Sequence, residues 1–287
     1  MSKNNHCKIF GIMGDSLSHS LSPLIHNHFF QKLGSNSRYY HFQIKNENLL
    51  EAIQGIRVLG IRGVNVTFPY KEKVISYLDE LDPNALRIRA VNTIKNTSGK
   101  LTGYNTDLFG IRETIQCRLK LHLKGKNVFL LGAGGAARAC LAELVKHHPK
   151  RILVLNRSLE NAERMVAGFA SRSKQTQIEL RSLHEIESLS LKGALALLVN
   201  ATSAEAAFIK EIIRILSRRD FFPGAMVFDL NYSQRALSHQ MVRDQLAYED
   251  GLYTLCAQAA ESFRIWTKIR LKPEEVFRYV TRTLKWR

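Results

Sequence analysis

The chain has 287 residues, 45% of them apolar, which suits two cores of ordinary domain size and excludes a miniature held together by disulfides or metal. Its 42 Lys and Arg against 25 Asp and Glu leave +17, a balance that draws anions; the charge is dispersed, which favours anionic small molecules over nucleic acid or a membrane surface. The four cysteines, Cys7, Cys117, Cys140 and Cys256, form no C-x-x-C pair, no apolar run approaches the ~20 residues of a membrane helix, and Met1 to Lys8 has no signal-peptide core, so zinc, a disulfide framework and export are set aside and a cytoplasmic protein is expected.

Strand-like and helical runs alternate from the start. Lys8 to Met13 reads as a strand, Pro23 to Leu33 as a helix, Tyr39 to Ile44 as a strand, Leu49 to Leu59 as a helix and Gly63 to Phe68 as a strand. That order is the signature of βαβ units and a mostly parallel sheet. Ser22-Pro23 is a helix opening, with Ser22 as the cap and Pro23 at the first helical position. A second alternation begins at Lys126: strand Val128 to Leu131, turn Gly132 to Gly135, helix Ala136 to Lys146, strand Arg151 to Leu155, helix Leu159 to Ala170, strand Leu195 to Val199, helix Phe208 to Leu216, strand Ala225 to Leu230. This predicts a doubly wound nucleotide-binding domain. Arg264 to Arg287 is the densest basic cluster; with Trp266, Phe277, Tyr279 and Trp286 at roughly helical spacing it reads as an amphipathic terminal helix, a nucleic-acid or membrane face being the alternative.

The turn Gly132-Ala133-Gly134-Gly135-Ala136-Ala137 fits G-x-G-x-x-A between an apolar strand and an Ala-rich helix. Gly132 permits the sharp turn, Gly134 lets the backbone approach a pyrophosphate, and the free amides of the helix hold the phosphates. The next strand ends in Asn156-Arg157-Ser158, where an NAD site places an acid against the ribose; Arg157 with Ser158 instead suits a 2′-phosphate and favours NADP.

Polar residues also gather at the ends of apolar stretches in the first hundred or so positions: Ser20 and Ser22 in H-S-L-S-P, Thr67 and Lys71 in N-V-T-F-P-Y-K, Asn92 in A-V-N-T and Asp107 in N-T-D. Hydroxyls for a carboxylate, a Lys and an Asp for proton transfer, and an amide for hydroxyl recognition suit a small polyhydroxylated acid. Gly14 to Asn27, with Asp15 and Ser16 as departures, resembles the opening motif of the shikimate dehydrogenase family; N-V-T-F-P-Y-K, A-V-N-T, Gly103-Tyr104-Asn105-Thr106-Asp107 and Gln258-Ala259-Ala260 follow in that family's order.

The resemblance implies an α/β chain of two domains: a substrate-binding catalytic domain of residues 1–107 completed by C-terminal helices in 256–287, and a Rossmann-type NADP-binding domain of residues 108–255. It implies an oxidoreductase of aromatic amino acid and chorismate biosynthesis, which reversibly reduces 3-dehydroshikimate to shikimate with NADP(H). Lys71 and Asp107 would be the catalytic pair; Ser20, Ser22, Asn65, Thr67, Asn92, Tyr232 and Gln258 would join them in binding substrate. The cofactor would meet Gly132, Ala133, Gly134, Gly135, Ala136, Asn156, Arg157, Ser158, Thr202 and Gly251. No metal is expected; monomer and homodimer both stay open.

Arg89 stands where the family commonly has Gly, Glu160 and Asn161 where a further basic residue often follows, Glu205 and Ala206 where Gly and Met follow N-A-T-S, Gln234 and Leu237 where Pro and Thr occur, and Thr254 where a Met would line the nicotinamide. These departures keep two alternatives: a quinate/shikimate dehydrogenase using NAD or a related cyclic acid, and a noncatalytic shikimate-binding relative. His19, His26 and His28 read as packing or surface residues, because 26 and 28 diverge on a helix.

Overall fold

A computed structural model of the protein describes residues 6–169, 175–188, 195–217, 221–232 and 247–285. The chain divides into two compact units, one formed by Met1–Gly110 with Leu255–Arg287 and the other by Ile111–Thr254.

The first unit runs β1 (Lys8–Gly14), α1 (Ser22–Lys32), β2 (Ser37–Gln43), α2 (Leu49–Val58), β3 (Gly63–Val66), β4 (Glu80–Leu81), α3 (Pro83–Ile88), β5 (Thr93–Thr97), β6 (Lys100–Tyr104) and the start of α4 (Asp107–Glu113). Its sheet has the order β2-β1-β3-β5-β6-β4. Strand β1 is parallel to β2 and β3, but β5 is antiparallel to both β3 and β6. Strand β4 is parallel to β6, so the sheet is mostly parallel, as expected, with β5 as its antiparallel strand. Strands β5 and β6 meet in the hairpin at Ser98-Gly99, both at positive φ (52° and 93°), the two-residue turn that joins antiparallel neighbours. Ser22 is the first residue of α1, not its cap: Leu21 occupies that place and makes no capping bond. Arg89 closes α3 in the left-handed conformation (φ 56°), the helix exit that glycine favours.

The core beneath this sheet includes Met13, Ile53, Val64, Val66, Tyr70, Ile94 and Leu101. The chain returns to the unit through α8 (Leu252–Thr267) and α9 (Pro273–Thr283), numbered after the helices of the second unit. Trp266 on α8 packs directly on Gly63, where any Cβ would fall 2.2 Å from the indole nitrogen, and that nitrogen donates to the Ile94 carbonyl at 2.9 Å. The basic C-terminal stretch is thus two helices and not one, interrupted at Lys268 (φ 67°) ahead of Pro273. Val276 and Val280 are buried on α9; Tyr279 stacks on His28 at 3.5 Å and Glu275 pairs with Lys32 at 2.5 Å. Trp286 lies outside the described residues.

The second unit contains β7 (Asn127–Leu131), α5 (Gly135–Leu144), β8 (Arg151–Asn156), α6 (Leu159–Ala167), β9 (Gln177–Ser182), β10 (Leu195–Asn200), α7 (Ala206–Ser217), β11 (Phe221–Asp229) and β12 (Ala247–Glu249). All neighbours pair in parallel in the order β12-β11-β10-β7-β8-β9. Strands such as N-V-F-L-L and L-A-L-L-V-N are apolar on both faces because helices cover both. Counted from β7, this is the 3-2-1-4-5-6 order of the Rossmann fold, whose order reverses between β7 and β10. Strands β9 and β12 were not marked by the alternation of apolar runs. Among the described residues no helix is long and apolar enough to cross a membrane.

Glu143 on α5 is fully buried and meets Lys146 at 2.7 Å, Arg112 at 3.5 Å and His147 at 3.6 Å. Burial alone would raise its pKa, but hydrogen bonds from His147 and Lys146 and the charges of Lys146 and Arg112 outweigh burial and hold it at about 2, against an ordinary 4.5. A depressed carboxyl pKa stabilises the fold fully above the unfolded value and stops doing so as pH falls through the folded one. Glu143→Gln should therefore cost on the order of 3 kcal/mol at pH 7, with the gap closing between pH 4.5 and pH 2. Urea titrations across that range test this; a gap independent of pH would refute it.

Candidate active site

In the first unit the polar residues singled out by sequence converge on one edge of the sheet. Parallel strands β1 and β3 end there, while β5, being antiparallel, begins there and β6 ends there. The loops after β1 and β3 and the entries to β5 and α4 therefore emerge together, as expected for the carboxyl ends of an open α/β sheet. Backbone bonds fasten them: Thr67 N–H to Met13 O (2.9 Å), Val66 N–H to Asn92 O (2.8 Å), Val91 N–H to Lys71 O (2.7 Å) and Asn92 N–H to Tyr104 O (3.0 Å). Gly14 has no room for a Cβ, which would lie 2.5 Å from the Thr67 methyl, so the loop carrying Ser20 and Ser22 runs against Thr67.

Lys71 Nζ donates to Asp107 Oδ2 at 2.6 Å, and both side chains are only partly exposed, 20% and 15%. Asn92 Nδ2 holds the other carboxylate oxygen, Asp107 Oδ1, at 2.7 Å. The Asn92 amide cannot be reversed, because the Thr106 backbone N–H meets its Oδ1 at 2.7 Å and a backbone N–H needs an acceptor. The Thr106 hydroxyl reaches Gln258 Oε1 at 3.2 Å, which turns the Gln258 NH2 outward from this contact. Asn65 is turned inward: its Oδ1 accepts from the Tyr39 hydroxyl at 2.7 Å, and its NH2 faces Asn92 O, Thr93 Oγ1 and Ser262 Oγ at 3.0–3.2 Å. Burial pushes the Tyr39 phenol well above its ordinary pKa, with a hydrogen bond from Ser22 working the other way. Ser22 is buried, and its backbone N–H donates to Ser20 Oγ at 3.4 Å.

His26 is fully buried against Tyr39 at 4.5 Å, and burial lowers its pKa to about 3, so it packs as a neutral ring. No group of three or more metal-ligating side chains occurs among the described residues.

In the second unit, the turn after β7 bends at Gly132 (φ 107°), whose N–H donates to Leu155 O at 2.9 Å. A Cβ on Gly132 would lie 3.0 Å from Ala201 O and 3.1 Å from the Thr202 methyl, so the ends of β7 and β10 close on each other at the point where strand order reverses. Gly134 caps α5 without a side chain, and a Cβ there would meet nothing within 4 Å. Ala133 and Ala136 flank that opening in sequence, and Ala137 is buried beneath the helix. At the end of β8, Asn156 Nδ2 donates to Ser158 O (2.8 Å), the Ser158 hydroxyl caps α6 by accepting from Asn161 N–H (3.4 Å), and Arg157 is exposed.

The N-A-T-S and D-x-x-Y segments form one buried network. Asp229, buried and raised in pKa by desolvation, accepts from Asn200 (2.8 Å), Asn231 N–H (3.0 Å) and Tyr248 (3.2 Å), while the Thr202 hydroxyl donates to Asn200 Oδ1 (2.7 Å). Gly251 packs so tightly on Leu230 O that a Cβ would sit 1.9 Å away. Tyr232 follows this network, partly buried in the second unit. Glu205 directly precedes α7 and its carbonyl accepts from Phe208 and Ile209, which places an acid at the positive end of that helix. The Thr254 hydroxyl is spent on Thr114 at 2.7 Å. Gln234 and Leu237 lie outside the described residues.

Family models match both units. The model described as shikimate dehydrogenase substrate binding domain matches residues 12–94, and the one described as shikimate/quinate 5-dehydrogenase matches residues 113–232. The chain is 37% identical over 271 residues to the shikimate dehydrogenase (NADP(+)) of Pyrococcus furiosus, covering 92% of each. The chain belongs to the shikimate dehydrogenase family. Among solved structures it is similar to shikimate dehydrogenase 1 from Peptoclostridium difficile (TM-score 0.79, 28% identity, 95% of this chain and 97% of that one). It also resembles the Thermus thermophilus shikimate 5-dehydrogenase solved with NADP(H) and shikimate (TM-score 0.75, 29% identity, 96% and 99%).

Sequence reasoning missed Tyr39, Thr93, Thr106 and Ser262, which knit these dehydrogenase residues together. Thr93 and Thr106 adjoin residues that were singled out, and Ser262 follows Gln258 by one helical turn, a spacing that carried the signal. Tyr39 carried none beyond its strand.

Gly132→Ala should destabilise the second unit by about 1–3 kcal/mol, through its left-handed backbone and the contact with Ala201 O. Gly134→Ala should leave stability within about 0.5 kcal/mol. Thermal unfolding without cofactor compares them, and equal losses would contradict the geometry.

Proposed function

We propose that this chain catalyses the reversible NADP(H)-dependent reduction of 3-dehydroshikimate to shikimate, with Lys71 and Asp107 as its catalytic pair. The observation that carries the reading is a lysine and an aspartate 2.6 Å apart at the carboxyl edge of the first sheet, in a member of the shikimate dehydrogenase family. The open approach at Gly134 and the uncapped start of α5 fit a pyrophosphate, and exposed Arg157 fits a 2′-phosphate. Bound NADP(H) supplies or accepts the hydride. Lys71 moves the proton: in reduction it donates from Nζ to the oxygen that becomes the new hydroxyl, and in oxidation it takes that proton back. Asp107 fixes the ammonium and keeps Oδ1 on Asn92, so the donor's position does not depend on substrate.

The remaining roles follow from chemistry. Ser20 and Ser22 hold the carboxylate, with Tyr232 as a further donor. Thr67, Asn92 and Gln258 meet ring hydroxyls, Gln258 through its outward NH2; Asn65, with its amide committed inside, has one lone pair left on Oδ1 to offer. Gly132 to Ala136 hold the pyrophosphate, Asn156 to Ser158 the ribose phosphate, and Thr202 and Gly251 the nicotinamide side. A cytoplasmic enzyme acting on a small acid, with no nucleic acid or membrane partner, belongs to the same reading.

Purified protein should reduce NADP when given shikimate, read at the NADPH absorbance; ligand binding without turnover would sink the dehydrogenase reading. Lys71→Met should lower kcat at least about 100-fold with KM for shikimate changed only a few-fold, and raised KM at full kcat would refute proton transfer by Lys71. Arg157→Ala should weaken NADP by about 10-fold or more while sparing NAD; steady-state kinetics with each cofactor decides, and equal losses would remove Arg157 from cofactor choice.

A further inference from the structure

Ser262 lies on α8 one turn beyond Gln258 and is fully buried. Its hydroxyl donates to Gln258 O at 3.0 Å, accepts from Asn65 Nδ2 at 3.0 Å, and touches Thr93 Oγ1 at 2.9 Å and Thr106 Oγ1 at 3.1 Å. Thr93 and Thr106 close the triangle at 3.1 Å. These partners belong to the segments that carry every polar group near Asp107. Asn65 stands on β3, which leads into the turn with Lys71; Thr93 adjoins Asn92; Thr106 adjoins Asp107; and Gln258 is the previous turn of α8. One oxygen atom therefore touches all four segments, without touching Lys71 or Asp107 itself.

We propose that Ser262 is a positioning residue for the hydride-transfer reaction: its hydroxyl fixes the relative placement of Asn92, Asp107 and Gln258. This rests on the dehydrogenase reading above. The Thr106 hydroxyl lies within 3.2 Å of both Asn92 Oδ1 and Gln258 Oε1, and its own orientation is set by Ser262 and Thr93. With Ser262 reduced to alanine, the triangle loses its only member bonded to α8 backbone, and Thr106 has two hydroxyl contacts reduced to one. Asn92 then loses definition where it grips Asp107 Oδ1. Displacements well under an ångström in such a grip are felt mainly in turnover.

The test compares Ser262→Ala with Ser262→Thr, which keeps a hydroxyl able to bond the i−4 carbonyl, and with Ile94→Val, a buried packing change that touches no polar group. Expected is a kcat about 10-fold or more below the parent for Ser262→Ala, KM for shikimate within about three-fold, and recovery to within about three-fold by Ser262→Thr. Ile94→Val should lower thermal stability comparably while leaving kcat unchanged. A Ser262→Ala enzyme with kcat within two-fold of the parent overturns the assignment, as does equal turnover loss in Ile94→Val. If Ser262→Ala does not fold, Thr93→Val against Thr93→Ser asks the same of the triangle, and equal turnover in that pair overturns it. Absence of turnover in the parent sinks the dehydrogenase reading and the assignment together; turnover in the parent with an unaffected Ser262→Ala sinks the assignment alone.

Discussion

A carboxylate mostly shielded from water is tolerable only when both of its oxygens are occupied, and Asp107 meets that condition with an ammonium on one side and a side-chain amide on the other. Everything else in the first unit follows from that requirement. Asn92 can donate to Asp107 only while its own oxygen is turned to the Thr106 N–H, and Thr106 can offer that N–H only where β6 hands over to α4. Reversing the Asn92 amide would leave the buried Thr106 N–H facing a donor, a loss of roughly 1–3 kcal/mol. The pair is thus held open to solution on one side by a structure whose other side is closed.

The second unit solves a different problem with glycine. The turn after β7 contains one glycine set by backbone conformation, Gly132, and one with open space around it, Gly134. The two are easily confused in a motif and are distinct in physics. At Gly132 the protein itself fills the space a side chain would take, whereas at Gly134 the space is vacant above the amides of α5. Gly251 is a third case, needed because the Leu230 carbonyl lies against it.

The alternation of apolar runs was legible for β1, α1, β2, α2 and β3, and for the second unit from β7 to β11 with the exception of β9, because continuous or periodic apolar segments of that length have few other readings. Lys71, Asn92 and Asp107 stood out as polar residues at the ends of apolar segments and Gln258 only through the family resemblance; the fold brings Lys71, Asn92 and Asp107 into one hydrogen-bonded group. The β5–β6 hairpin was not anticipated, since its strands K-L-T-G-Y and T-I-K-N-T mix polar and apolar residues and its turn is only two residues long. Short β4 and β12 carry too little pattern to announce themselves, and β9, Q-I-E-L-R-S, interleaves charged residues with its apolar ones. The role of Ser22 was read from local rules that favour serine at a helix start; in the fold it is buried as the first residue of α1, and Leu21 stands in the cap position.

A polar interior of this kind has a cost that the aromatic layer beside it offsets. Tyr39, Asn65, Thr93 and Ser262 bury hydroxyls and amides under Phe263, Trp266 and His26, where none of them can recover a bond from water. Because each bond in the network is made to another member, the residues gain little unless all are in place, which makes their geometry cooperative. Neutral His26 fits that setting: it stacks on Tyr39 and contributes no charge to the layer. The apolar cover therefore does more than stabilise the first unit. With Thr93, Thr106 and Ser262 buried, their hydroxyls bond one another and leave Asn92 and Gln258 one amide orientation each.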